Sequence, residues 1–107
     1  MKRMYVDPWR DDRRYRRFSQ NVGDNMPYTV DFSASASARG TTVSSVEWKT
    51  VGQQTLTATS QALSSGIASA IITSTDEGQG EIKITATYAD GNKEVVLAEI
   101  NIEGPDL

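Results

Sequence analysis

The residues of this 107-residue chain that could do chemistry are few, and the two most versatile types are missing. With no histidine and no cysteine, imidazole acid–base work, thiolate nucleophiles, thiolate metal sites and disulfides are all excluded. Ser64 and Ser65 adjoin Gly66, but a serine hydroxyl with no imidazole to take its proton makes no Ser-His-Asp triad. Asp76, Glu77 and Glu81 cluster around Gly78 and Gly80, an oxygen-rich set of the kind calcium prefers. Their spacing does not follow the order of an EF-hand loop, and acidic loop tips commonly serve solubility. The chain is read as holding neither a metal nor a cofactor. A carboxylate pair for glycoside hydrolysis needs a cleft between its members, which short strands in so small a chain rarely provide. The expectation is a protein that is not an enzyme.

A denser set of functional side chains stands at the N-terminus, where residues 1–18 read MKRMYVDPWRDDRRYRRF. Tyr5, Trp9, Arg10, Arg13, Arg14, Tyr15, Arg16, Arg17 and Phe18 are of the types enriched at protein–protein hot spots and are read as partner-binding. Arginine among aromatics also suits nucleic acid, through phosphate neutralisation and base stacking. Here Asp7, Asp11 and Asp12 interleave with the arginines and weaken that field. Docking onto protein therefore ranks first, a solvated tail second and nucleic acid third. The net charge of −3 hides the same division: residues 1–27 sum to +3 and residues 28–107 to −6.

The elements that position these residues follow from local signals. Asp7-Pro8 is a good helix start, with Asp as N-cap and Pro at N1. Asp11 and Asp12 early and the arginines late match the helix dipole. A short helix is expected over Pro8–Ser19, too poorly phased to bury a stripe, within a docking arm and linker spanning 1–27. Gly23, Asp24, Asn25 and Pro27 punctuate the linker.

From residue 28 the texture changes to short alternating runs. Tyr28, Val30 and Phe32 point one way on a first strand, and Ser33–Gly40 (SASASARG) is expected to be a flexible loop. Thr41–Thr50 is a strand that shares Val46 and Trp48 on one face, with Trp48 as core plug. Thr55–Ser60 is a short strand, residues 61–66 a loop, and Ile67–Thr73 a strand. The strongest signal is GEIKITATYADGNKEVVLAEINIE, residues 80–103, where two alternating runs flank Asp90-Gly91-Asn92. An Asp-Gly pair in that setting marks a hairpin because the turn needs positive φ. Val95–Leu97 is apolar on both faces, which places that strand inside a sheet. The count is six or seven short antiparallel strands: an all-β, Ig-like β-sandwich over 28–103, with a short tail at 104–107 and a short helix in the arm. One modest core, no secretory signal and no apolar run of membrane length lead to the expectation of a soluble, intracellularly made protein without a membrane partner.

The runs YTVDFS, GTTVSSVEWKT, SSGIASAIITSTDEGQGEIKITATY and DGNKE carry a resemblance over residues 28–103. They resemble the Ig-like structural proteins of tailed bacteriophages, in particular the phage fibre–tail adaptor family. Tyr28, Thr29, Asp31 and Phe32 match its opening strand, Ser45 and Trp48 its Ser-x-x-Trp strand, and Ser65, Gly66, Ile67 and Ala68 its small-residue strand. The resemblance implies a multicopy, non-enzymatic virion component that joins tail, neck or fibre subunits. A capsid decoration protein is the alternative, and nucleic-acid binding through the arm the third reading. A carbohydrate-binding module would need an exposed aromatic platform, and Trp48 is assigned to the core. Truncating residues 1–20 is expected to abolish incorporation into the particle and leave the sandwich folded.

Overall fold

The computed structural model describes residues 4–6, 15–51, 56–75 and 77–104. In chain order these form β1 (Met4–Val6), β2 (Tyr15–Asn21), β3 (Asn25–Asp31), α1 (Ser33–Arg39), β4 (Val43–Val51), β5 (Leu56–Ser64), β6 (Ile67–Ser74), β7 (Gly78–Tyr88) and β8 (Lys93–Glu103). Two four-stranded sheets result, ordered β1-β3-β6-β5 and β2-β8-β7-β4. Their facing sides make one core.

Period-2 alternation decides which side chains enter that core. Ile82, Ile84, Ala86 and Tyr88 on β7 and Val96, Ala98, Ile100 and Ile102 on β8 are buried from one sheet, together with Trp48 on β4. Tyr28 and Val30 on β3, Ala68, Ala70 and Ile72 on β6, and Leu56 on β5 meet them from the other. Each fully buried isoleucine contributes about 1.5–3 kcal/mol through apolar area removed from water. The β7–β8 hairpin pairs Thr87 with Lys93 and continues to Gly78 with Ile102. Gly91 takes φ +92 at its tip, and the Gly91 N–H donates to the Tyr88 carbonyl at 2.9 Å. As its apolar faces require, β8 is internal, held between β2 and β7.

Three elements differ from the sequence expectation. The first is the arm. Residues 15–19, expected to end a helix, belong instead to β2, which runs parallel to β8 with Tyr15 opposite Leu97 and Asn21 opposite Glu103. β1 likewise runs parallel to β3, Met4 opposite Tyr28. The sandwich thus has eight strands among the described residues and two parallel edge pairs, not six or seven antiparallel strands. The reason is tertiary. A lone helix of that length is marginal in water, whereas β2 supplies the missing neighbour to β8 and buries Gln20. The boundary at residue 27 moves accordingly, and the expected linker becomes a β-turn at Asn21–Asp24 with Gly23 at φ +88, followed directly by β3.

The second is SASASARG, a helix rather than a loop. Alternating Ser and Ala show no 3.6-residue period, and Ser competes for backbone bonds outside helices, so the pattern is silent. The ends carry the signal. Asp31 Oδ1 accepts from the Ser33 N–H at 2.9 Å and from the Ser33 hydroxyl. Gly40, left-handed at φ 69, closes the C-terminus with its N–H on Ala36 and Ser37 carbonyls. The third is β5, which continues through the expected loop to Ser64. A bulge between Thr59 and Ala62 allows it, with Ser60 at φ 52. Ser65 (φ 52) and Gly66 (φ 81) then make a tight turn with positive φ at both central residues.

Candidate binding site

Two polar clusters fix the ends of the sandwich. At one end Gln20 reaches from β2 across to the other sheet, where only 5% of it stays exposed. Its amide donates to the Ser74 hydroxyl at 3.0 Å and to the Asp24 carbonyl at 3.3 Å, and its carbonyl accepts from the Tyr28 hydroxyl at 3.2 Å. Ser74 in turn donates to the Asn21 carbonyl at 2.9 Å. A buried amide with its bonds made costs little, while the same amide unpaired would cost the full desolvation penalty. The cluster therefore binds β2 to both sheets.

At the other end lies α1. Glu94, at the start of β8 and only 2% exposed, accepts from the Tyr88 hydroxyl at 2.6 Å. Arg39, in the last turn of α1, stands 3.7 Å from the other Glu94 oxygen and lies over the Tyr88 ring at 5.2 Å from its centroid. This clasp pins the helix to the hairpin. Ser35, on the buried side of α1, has a hydroxyl without a hydrogen-bond partner among the described residues. The pattern hid Glu94, which occupies an inward position of an otherwise apolar face. Its signal was the phase: Glu94 shares the parity of Val96, Ala98, Ile100 and Ile102.

Burial, and then the Glu94 carboxylate, push the Tyr88 hydroxyl up to about 12, and burial raises that of Tyr28 still further. Neutral tyrosine is thus favoured in the folded state. The stabilisation is fully present below the unfolded value of about 10 and is lost as pH rises through the folded values. In an alkaline titration followed by phenolate absorbance, Tyr28 and Tyr88 are expected to ionise only together with loss of the β circular-dichroism signal. Reversible ionisation of all four tyrosines near pH 10, with the fold intact, would contradict this burial.

Between the clasp and the free edges of β4 and β5 an open trough of about 510 Å³ is lined by Ser33, Ala36, Ser37, Thr41, Thr42, Val43, Leu63, Ser65 and Gly66. A second hollow of about 310 Å³ shares Leu63 and reaches Ser44, Ser45, Val46, Trp48, Gln61 and Ala62. Among the described residues neither has an ionisable lining residue, and the hydroxyls and apolar groups there can hold a neutral surface. Trp48 is 8% exposed and fills the core, so it offers no stacking platform.

Of the residues expected to bind a partner, Tyr5 falls on β1, and Tyr15, Arg16, Arg17 and Phe18 fall on β2, with Arg17 in register with Glu99. Trp9, Arg10, Arg13 and Arg14 lie outside the described residues. The two strands thus put the ends of the basic segment on different sheets. Of the acidic set, Asp76 also lies outside the described residues, and Glu77 packs against Gly104. Among the described residues no three potential metal ligands converge.

Against known structures, the chain is similar to the cysteine protease inhibitor EhICP2 from Entamoeba histolytica, 10% identical, with 94% of this chain and 95% of that one covered at a TM-score of 0.59. It is also similar to the PKD domain from the KIAA 1837 protein, 17% identical, covering 86% and 85% at 0.53. The fold is an Ig-like β-sandwich. A third likeness, to an endo-fucoidan hydrolase of glycoside hydrolase family 107, is 16% identical at 0.58 and covers 85% of this chain but 13% of that one. Identities this low speak for the fold alone, since one sandwich hosts many functions. No protein-family model and no curated protein matches the sequence.

Proposed function

We propose that this chain is a non-enzymatic structural protein of a tailed-phage particle, an Ig-like adaptor at the tail, neck or fibre that is anchored to a neighbouring subunit by its N-terminal segment. The observation that carries the proposal is the placement of that segment. Its residues sum to +3 against −6 for the remainder, and β1 and β2 tie it to the edges of both sheets. Trp9, Arg10, Arg13 and Arg14 fall in sequence between those two strands. Fixing a docking segment at both ends reduces the entropy lost on binding. The resemblance over residues 28–103 supplies the phage context, and a sequence without histidine or cysteine suits a component that binds and does not catalyse.

The test is a folded protein with an altered connection. Replacing Trp9, Arg13 and Arg14 together by alanine is expected to lower incorporation into particles at least roughly 10-fold, as loss of hot-spot side chains does, with an unchanged melting midpoint. Normal incorporation of that variant would remove the anchor from the account.

A further inference from the structure

At one dipeptide the chain carries a nucleophile and an electrophile in adjacent residues with little between them. Asp90 is followed by Gly91, and no other Asp and no Asn in the chain precedes a glycine. A glycine has no Cβ to hinder approach of the preceding carboxyl to its own main-chain nitrogen. The pair stands at the tip of the β7–β8 hairpin, where every residue from Ala89 to Lys93 is exposed. A methyl group placed on Gly91 would meet nothing within 4 Å, so packing does not shield the tip.

Hydrogen bonds restrain it instead. The Gly91 N–H donates to the Tyr88 carbonyl at 2.9 Å, and Asp90 Oδ1 accepts from the Asn92 N–H at 3.0 Å. The first bond holds the proton that the nitrogen must release before it can attack, and the second ties up the carboxyl it would attack. Opening of the tip frees both groups together. An exposed turn opens at a far lower free energy than the strands it joins.

We propose that Asp90–Gly91 is a site of spontaneous isoaspartate formation, that the Tyr88 carbonyl and the Asn92 N–H set its rate, and that its product loosens the clasp on α1. In the first step the Gly91 nitrogen bonds to Asp90 Cγ. One carboxyl oxygen leaves as water, taking the proton of that nitrogen and one from solvent, and a five-membered succinimide remains. Water then opens the ring and the solvent proton is returned. Opening at Cγ restores aspartate, whereas opening at the main-chain carbonyl leaves the chain running through the side-chain carbons. Water lost in one step is regained in the next, and no oxidant or reductant takes part. The product carries an extra main-chain carbon inside the turn that the Tyr88 N–H closes on the Asn92 carbonyl at 2.8 Å. Tyr88 is also the residue whose hydroxyl donates to Glu94 and whose ring lies under Arg39, so a displaced turn reaches the clasp.

The test is to age the full chain, folded in buffer and unfolded in guanidinium chloride at the same pH and temperature, and to map isoaspartate by peptide mass spectrometry. Conversion is expected at residue 90 before any other Asp or Asn, and roughly 10- to 100-fold more slowly in the folded chain, the protection that closure of an exposed turn gives. Asp90→Asn closes the same ring with loss of ammonia in place of water, so its mass gain on ring opening should report the same ratio of rates. The converted chain, separated by chromatography, is expected to melt below the unconverted one. Equal rates in the folded and unfolded chains would overturn the proposal. So would faster conversion at another residue, no conversion at residue 90 of the folded chain, or a converted chain with an unchanged melting midpoint.

Discussion

Deleting residues 1–21 is expected to cost about 4–6 kcal/mol of folding stability, a large share of the 5–15 kcal/mol typical of a domain. The deletion takes away β2 and with it Gln20. The buried Ser74 hydroxyl then loses its Gln20 and Asn21 partners and the Tyr28 hydroxyl loses its bond to Gln20, and a buried polar group left unsatisfied costs about 1–3 kcal/mol. β8 also loses the seven residues paired along its outer side. Deleting only residues 1–14 spares β2 and, among the described residues, removes the three-residue β1, so its cost should be about 1–2 kcal/mol. Denaturant midpoints of the three proteins measure the difference. Equal midpoints for the wild type and the 1–21 deletion would show that β2 is not part of the folded sandwich. With that loss, failure of a 1–20 deletion to be incorporated would report destabilisation as much as loss of an anchor.

Gly66→Ala is expected to destabilise by about 3 kcal/mol, and Gly91→Ala by about 1 kcal/mol, although both glycines have positive φ. At Gly66 the added methyl would lie 3.0 Å from the Ser33 Cα and 3.3 Å from the Ser33 nitrogen. Those are backbone atoms at the first turn of α1 and cannot rotate aside. The Gly66 carbonyl also accepts from the Phe32 N–H at 2.9 Å, so displacement of the turn disturbs the entry to the helix. At Gly91 nothing lies within 4 Å, and only the φ +92 strain remains. Urea titration of the two variants separates close approach from backbone conformation. Equal losses would mean that the turn and α1 are not in contact.

These two sites also show how much of the molecule the sequence disclosed. Strands whose faces alternate between core and solvent were legible residue by residue. Ala68, Ala70 and Ile72 are buried on β6, and the Asp90-Gly91-Asn92 hairpin lies where its glycine demands it. Segments whose state depends on partners far along the chain were not legible. Residues 15–19 carry helix-compatible charges, and only the edge of β8, some eighty residues later, makes them a strand. α1 has small side chains with no amphipathic period, and its position depends on Gly66 and on the Arg39–Glu94 contact. Glu94 in an apolar phase and Gln20 in a basic arm read locally as surface residues. Both are buried because hydrogen-bond partners reach them from other elements. The uncharged trough joins β4, α1 and the β5–β6 turn, so no contiguous motif could announce it.

The central claim is that the chain is a structural part of a phage particle. Its most direct test is the number of copies per particle, from quantitative mass spectrometry of purified virions with the major capsid protein as reference. The account predicts about a dozen copies or fewer, the number that a ring of cyclic symmetry at the tail or neck would hold. Copies approaching those of the capsid protein would move it to the head as a decoration protein. Its absence from purified particles would contradict the account.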